Sequence, residues 1–92
     1  MTPALKKEII KRYNYIIGHI KGIQKMVEDD IYCMDVFNQN IAVIEAIKKI
    51  NLRILDGHLN SCVSSAILSG RAKEKKRVLG ELLEVFKYKG KF

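Results

Sequence analysis

This chain is short of the residues that break helices and of the segments that cross membranes. Pro3 is the only proline, and it stands at the very start. The first twenty residues begin as a helix, without the pattern of a signal peptide. No apolar run is long enough to span a bilayer. There is no linker, repeat or low-complexity stretch, so the 92 residues are expected to form one domain, 1–92. The cysteines number two and form no Cys-x-x-Cys pair, which argues against a structural zinc site. A cytoplasmic setting is expected, with both as reduced thiols and not as a disulfide. Acidic residues are also scarce. Ten Asp and Glu face seventeen Lys and Arg, a net charge of +7. An excess of that size in so small a chain points to a polyanion, most often nucleic acid. Neither a helix-turn-helix nor a zinc finger is present, so base reading by a dedicated motif is not expected.

What is present is helix. Thr2 and Pro3 read as N-cap and first helical residue. Leu5, Ile9, Tyr13, Ile16, Ile17, Ile20, Ile23 and Val27 then recur at three- and four-residue spacing and form an apolar stripe. Gly18 and Gly22 in this helix suggest close helix packing. Asp30 is the expected N-cap of a second helix over residues 31–69, with Val36, Phe37, Ile41, Ile44, Ile47 and Ile54 on its apolar face. Ser69-Gly70 closes it, Gly70 being suited to a left-handed C-cap. A basic stretch at residues 71–77 precedes a third helix that buries Val78, Leu79, Leu82, Leu83 and Phe86. The end of the chain, residues 87–92, is expected to fray. The class is all-α. Three helices so unequal in length do not close a bundle alone. An antiparallel dimer making a four-helix bundle from the first two helices covers the long one.

Chemistry is concentrated in Cys33, His58 and Cys62. His58 and Cys62 are four apart and share a helix face. Cys33 lies 25 residues before His58, roughly 37 Å along a straight helix. An antiparallel second copy brings Cys33 of one chain beside His58 and Cys62 of the other. Two sulfurs and one imidazole nitrogen suit Cu(I) better than most ions. Cys33 falls in the first turn of the second helix, where the helix dipole favours a thiolate. A Cys–His nucleophilic pair is the catalytic alternative. No loop supplies an oxyanion hole, so an enzyme is not expected. Among the basic residues, Arg12 and Lys21 lie on the first helix, Lys48, Lys49 and Arg53 on the second, and Lys73, Lys75, Lys76 and Arg77 before the third.

The segments Gly22-Ile23-Gln24-Lys25-Met26-Val27-Glu28, Tyr32-Cys33-Met34-Asp35-Val36 and Leu55-Asp56-Gly57-His58-Leu59-Asn60-Ser61-Cys62-Val63, with Glu81-Leu82-Leu83-Glu84-Val85-Phe86-Lys87 near the end, resemble the copper-sensitive operon repressor family, the CsoR/RcnR group of bacterial regulators. The resemblance covers nearly the whole chain. It implies an all-helical protein whose antiparallel dimers pair into a dimer-of-dimers tetramer, and whose apo form binds operator DNA and represses metal-efflux genes. In the copper-sensing branch, Cu(I) binds between protomers, one ion per protomer, and the repressor leaves the DNA.

Residue by residue, the resemblance implies Cys33 from one chain and His58 and Cys62 from another as ligands. Tyr32 matches the tyrosine behind the ligand histidine. Glu81 matches the glutamate there if three residues are inserted in 71–77; otherwise that position falls on Val78. Arg12, Lys21, Lys48 and Lys49 are the DNA-binding candidates, with Arg12 and Lys49 at basic positions implicated in the family. Ile17-Gly18-His19 stands where the family usually has Glu-Gly-Gln, and Tyr15 where a basic residue is common. Nickel and cobalt sensors of the group replace the second cysteine by histidine. Its persulfide sensors keep both cysteines and usually lack the histidine, and its formaldehyde sensors usually lack the second cysteine. The set Cys33, His58, Cys62 favours copper. The alternative is a persulfide-sensing repressor joining Cys33 and Cys62 of different protomers through sulfur.

Overall fold

A computed structural model describes residues 1–87, the side chain of Cys62 excepted. The elements are α1 (Pro3–Glu28), α2 (Cys33–His58), a π-helical turn (Leu59–Val63), α3 (Ser64–Leu68) and α4 (Ala72–Lys87). No strand occurs among the described residues. The stretch expected to fray lies, beyond Lys87, outside them.

α1 begins as its sequence dictates. Thr2 is extended, Pro3 opens the helix, and the Thr2 hydroxyl accepts from the Leu5 amide at 3.2 Å. Its end differs from expectation. Asp30 is not the N-cap of α2 but adopts a left-handed φ of 56°. The Asp30 amide donates to the Val27 carbonyl and the Ile31 amide to that of Met26. This pair of bonds is a Schellman stop, with Asp in the place glycine usually holds. Tyr32 becomes the N-cap of α2 and offers no side-chain bond there; Asp35 supplies the acidic residue of the first turn. Left-handed backbone costs an L-residue about 1–2 kcal/mol, and glycine's extra unfolded freedom offsets part of that. Asp30→Gly is therefore expected to raise stability by about 0.5 kcal/mol, read as a thermal midpoint roughly 2–4 °C higher. An unchanged or lower midpoint would mean that Asp30 carries no left-handed strain.

Four residues connect α1 to α2, so the two pack as an antiparallel hairpin. Leu5, Ile9, Ile16 and Ile23 of α1 are buried against Val43 and Ile50 of α2, with Val36, Ala46 and Ile54 beside them. Ile9, Ile16 and Ile23 recur every seven residues, as do Val43 and Ile50, the repeat of a coiled-coil seam. Where α1 begins, Leu5 sits directly on Gly57, and a Cβ there would meet the Leu5 methyl. Gly57 thus permits close approach immediately before His58. Gly18 and Gly22, expected to do this, face open space within the chain.

The second helix is not the uninterrupted helix expected. It passes through the π-turn into α3 with right-handed helical backbone at Leu59, Val63 and Ser64. Serine hydroxyls sustain the wider turn. Ser64 Oγ donates to the Leu59 carbonyl five residues back at 2.9 Å, and Ser61 Oγ to that of Gly57 at 2.7 Å. Gly70 ends α3 at φ 72°, as its position suggested. α4 then starts at Ala72, so Lys73, Lys75, Lys76 and Arg77 lie on this helix and not in a loop before it. Arg77 explains the early start: it bridges Glu74 at 3.0 Å and Glu81 at 2.9 Å along one face. Val78, wholly buried, docks α4 on Val63 and Ala66, with Leu82 alongside.

The molecule measures 58 × 29 × 13 Å, little more than one helix thick. A single layer of helices buries only one seam. Tyr13, Ile17, Ile20 and Val27 of the predicted α1 stripe stay exposed, as do Phe37, Ile41, Ile44 and Ile47 of α2. Apolar surface this extensive marks an interaction face.

Candidate metal centre and basic face

His58 is the last residue of α2, with 29% of its side chain exposed. Docking of α4 through Val78 brings Glu81 to it, and His58 Nε2 faces Glu81 Oε2 at 3.4 Å. Glu81 holds its other oxygen against Arg77. Val78 faces the core, and Glu81, three residues on, faces the imidazole. Among the described residues Nδ1 of His58 has no partner and is free to act as a ligand.

Cys33 is the first residue of α2, an exposed free thiol. Tyr32 precedes it and is also exposed. Both therefore lie a full helix length from His58, roughly 37 Å at the α-helical rise. Cys62 is on the π-turn, four residues past His58. Among the described residues no three potential ligands cluster within the chain. The donor set fits a thiophilic ion, and a single chain presents it in two halves at opposite ends.

The basic candidates divide. Arg12 of α1 and Lys49 of α2 line one shallow groove with Tyr15, Ala42 and Glu45. Lys48 pairs with Glu45 at 3.3 Å, and Lys21 is exposed farther along α1. His19 ties the hairpin together, its Nε2 donating to Gln39 Oε1 at 2.7 Å while its ring meets Tyr15 edge-on.

Sequence reading missed one polar chain. Glu8 Oε2 accepts from Arg53 Nε at 2.9 Å across the two helices, and Glu8 Oε1 lies 3.9 Å from Arg12. Arg53 also donates to Asp56 at 3.1 Å, and Asp56 accepts from Asn60 at 3.2 Å. The Glu8 hydrogen bond and charge, reinforced by Asp56, raise the Arg53 guanidinium above its ordinary pKa. The spacings Glu8–Arg12 and Arg53–Asp56 were visible in the sequence; the link between helices depends on their register.

The chain and its fold are similar to those of known proteins. The structure resembles the crystal structure of the copper-sensing repressor CsoR with Cu(I) from Geobacillus thermodenitrificans NG80-2, with a TM-score of 0.84 and 37% identity over 95% of this chain and 88% of that one. The copper-sensing transcriptional repressor CsoR of Bacillus subtilis is 43% identical over 82 residues, covering 89% of this chain and 78% of that protein. The copper-sensing transcriptional repressor RicR of Mycobacterium tuberculosis is 40% identical over 65 residues, 71% of this chain and 68% of that protein. No helix among the described residues is long and apolar enough to cross a membrane. Residues 5–88 match the model of the metal-sensitive transcriptional repressors, and the chain belongs to that family of regulators, which are not enzymes.

Proposed function

We propose that this protein is a Cu(I)-responsive repressor of the cytoplasm that binds operator DNA in its apo form and releases it on binding Cu(I), so that copper-efflux or resistance genes are expressed. Residues 1–92 act as one sensor domain. Cys33 of one protomer with His58 and Cys62 of another would hold the ion, one per protomer, in an antiparallel four-helix-bundle dimer that pairs into a tetramer. Arg12, Lys21, Lys48 and Lys49 would face the DNA phosphates.

The contact between His58 and Glu81 carries this reading. It sets a carboxylate 3.4 Å from one imidazole nitrogen and leaves the other for a ligand, the placement from which a carboxylate hydrogen-bonded behind a ligating histidine would set its tautomer and basicity. It also makes α4 sensitive to any movement of His58. Tyr32, beside Cys33, would arrive at His58 with the partner's thiol. When bound, Cu(I) supplies a bond between two chains that neither can make alone. Because the ligands sit on different chains, loading selects one relative placement of protomers. An effector that prefers one placement by about 1–3 kcal/mol changes DNA affinity about 5- to 150-fold.

Fluorescence anisotropy with labelled operator DNA, under anaerobic conditions, tests the proposal. Release is expected at about one Cu(I) per protomer. The exposed Cys33 thiol supports the sulfur-sensing reading. Release by polysulfide alone, with interprotomer crosslinks, would replace copper by reactive sulfur as the inducer.

A further inference from the structure

Arg12 is not a free cation. Its carboxylate neighbour Glu8, one helical turn before it, stands 3.9 Å away, too far for a hydrogen bond. The reason lies on the other helix. Arg53 holds the far oxygen of Glu8 at 2.9 Å, a charge-assisted bond between α1 and α2. Arg53 also grips Asp56 at 3.1 Å, and Asp56 in turn accepts from Asn60, the second residue of the π-turn. Arg53 is thus shared between a carboxylate beside the candidate DNA-binding arginine and one tied to the turn between His58 and Cys62.

We propose that Glu8 competes with DNA phosphate for Arg12, that Arg53 holds Glu8 off, and that Asp56 and Asn60 make this grip depend on the ligand-bearing turn. The last step rests on the function proposed above; the first two do not. A carboxylate at i,i+4 from an arginine is a competent partner. Released by Arg53, Glu8 closes on Arg12 and neutralises it toward phosphate. Movement of Asn60 alters the hold of Asp56 on Arg53, and so the share of Arg53 left for Glu8. Glu8 and Arg53 are positioning residues: they set the availability of Arg12 without touching metal.

The test is epistasis in the apo protein. Glu8→Gln is expected to tighten DNA binding about three- to fivefold, the scale of one exposed ion pair. Arg53→Gln is expected to weaken it by a similar factor, and to have no effect once Glu8→Gln is present. Arg53→Lys, which keeps the charge but not the planar fork that spans two carboxylates, behaves like Arg53→Gln. If Arg53→Gln weakens binding equally in both backgrounds, Arg53 is itself a phosphate contact and the proposal fails. If Arg53→Lys binds like the unaltered chain, charge alone matters and the proposal again fails. All these side chains lie at the surface, so circular dichroism should show unchanged folding.

The link to the turn is read with Cu(I). Glu8→Gln should lose at least about threefold of the difference between apo and loaded DNA affinity, while Cu(I) affinity measured against a competing chelator stays constant. An undiminished difference removes the link. If the unaltered chain itself ignores Cu(I), the proposed function fails together with the link, and the apo epistasis still decides the role of Glu8.

Discussion

His58→Ala is expected to bind operator DNA as the unaltered chain does and to stay bound when Cu(I) is added. Both halves of that result follow from where His58 sits. Its side chain is partly exposed at the end of α2, belongs to neither apolar cluster, and has Glu81 as its one ion-pair partner among the described residues. Truncation removes one partly exposed contact to Glu81, worth about 1 kcal/mol. The candidate DNA face is elsewhere, in the groove of Arg12 and Lys49. Loss of the imidazole removes one of the three donors of the proposed site between chains. The 5- to 150-fold release expected of a coupling of about 1–3 kcal/mol then disappears.

A companion variant separates holding the ion from responding to it. Glu81→Gln keeps a polar group of the same shape against His58 but removes its charge. The ligand nitrogen is untouched, so Cu(I) is still bound, and the DNA response falls with the loss of the carboxylate that ties α4 to the imidazole. Anisotropy against chelator competition distinguishes the two. Normal release of His58→Ala by Cu(I) would show that the imidazole is dispensable and move the protein to sulfur sensing.

What the sequence made legible here was local. The N-cap at Thr2, the stop at Gly70 and the α1 seam of Leu5, Ile9, Ile16 and Ile23 each depend on neighbours within a turn or two. So did the separation of Cys33 from His58, which needs only the length of a helix. Features set by tertiary register were not legible. Which of Val78 and Glu81 faces the core and which faces His58 was not legible, because both lie on one helical segment and only packing separates them. Asp30 carried the signature of an N-cap, yet the short connection between antiparallel helices needed a left-handed residue there. The π-turn arises from two serine hydroxyls bonding back to carbonyls, a competition that apolar periodicity does not register. Periodicity also cannot say which chain covers an apolar side chain. Ile9 and Ile20 belong to the same predicted stripe, but Ile9 is buried within the hairpin and Ile20 is not.

That distinction gives the other large expected effect. Ile44→Glu should break the assembly while leaving the hairpin folded. Ile44 is 52% exposed in the single chain and borders an apolar groove with Ile20 and Val27. If solvent covered this face, a glutamate there would change stability by no more than about 0.5 kcal/mol, as surface substitutions do. A second copy over the groove reverses the sign of the argument. In a two-fold assembly the substitution appears twice. Each buried, unpaired carboxylate costs several kcal/mol, which is comparable to the whole stability of a small domain. Sedimentation velocity should then show a monomer with helical circular dichroism retained. DNA binding should fall with it, because one layer of helices presents too few phosphate contacts. Cu(I) binding should weaken as well, because the proposed site joins Cys33 and His58 of different chains. An Ile44→Glu protein that remains assembled and bound to DNA would show that this apolar face is not the interface.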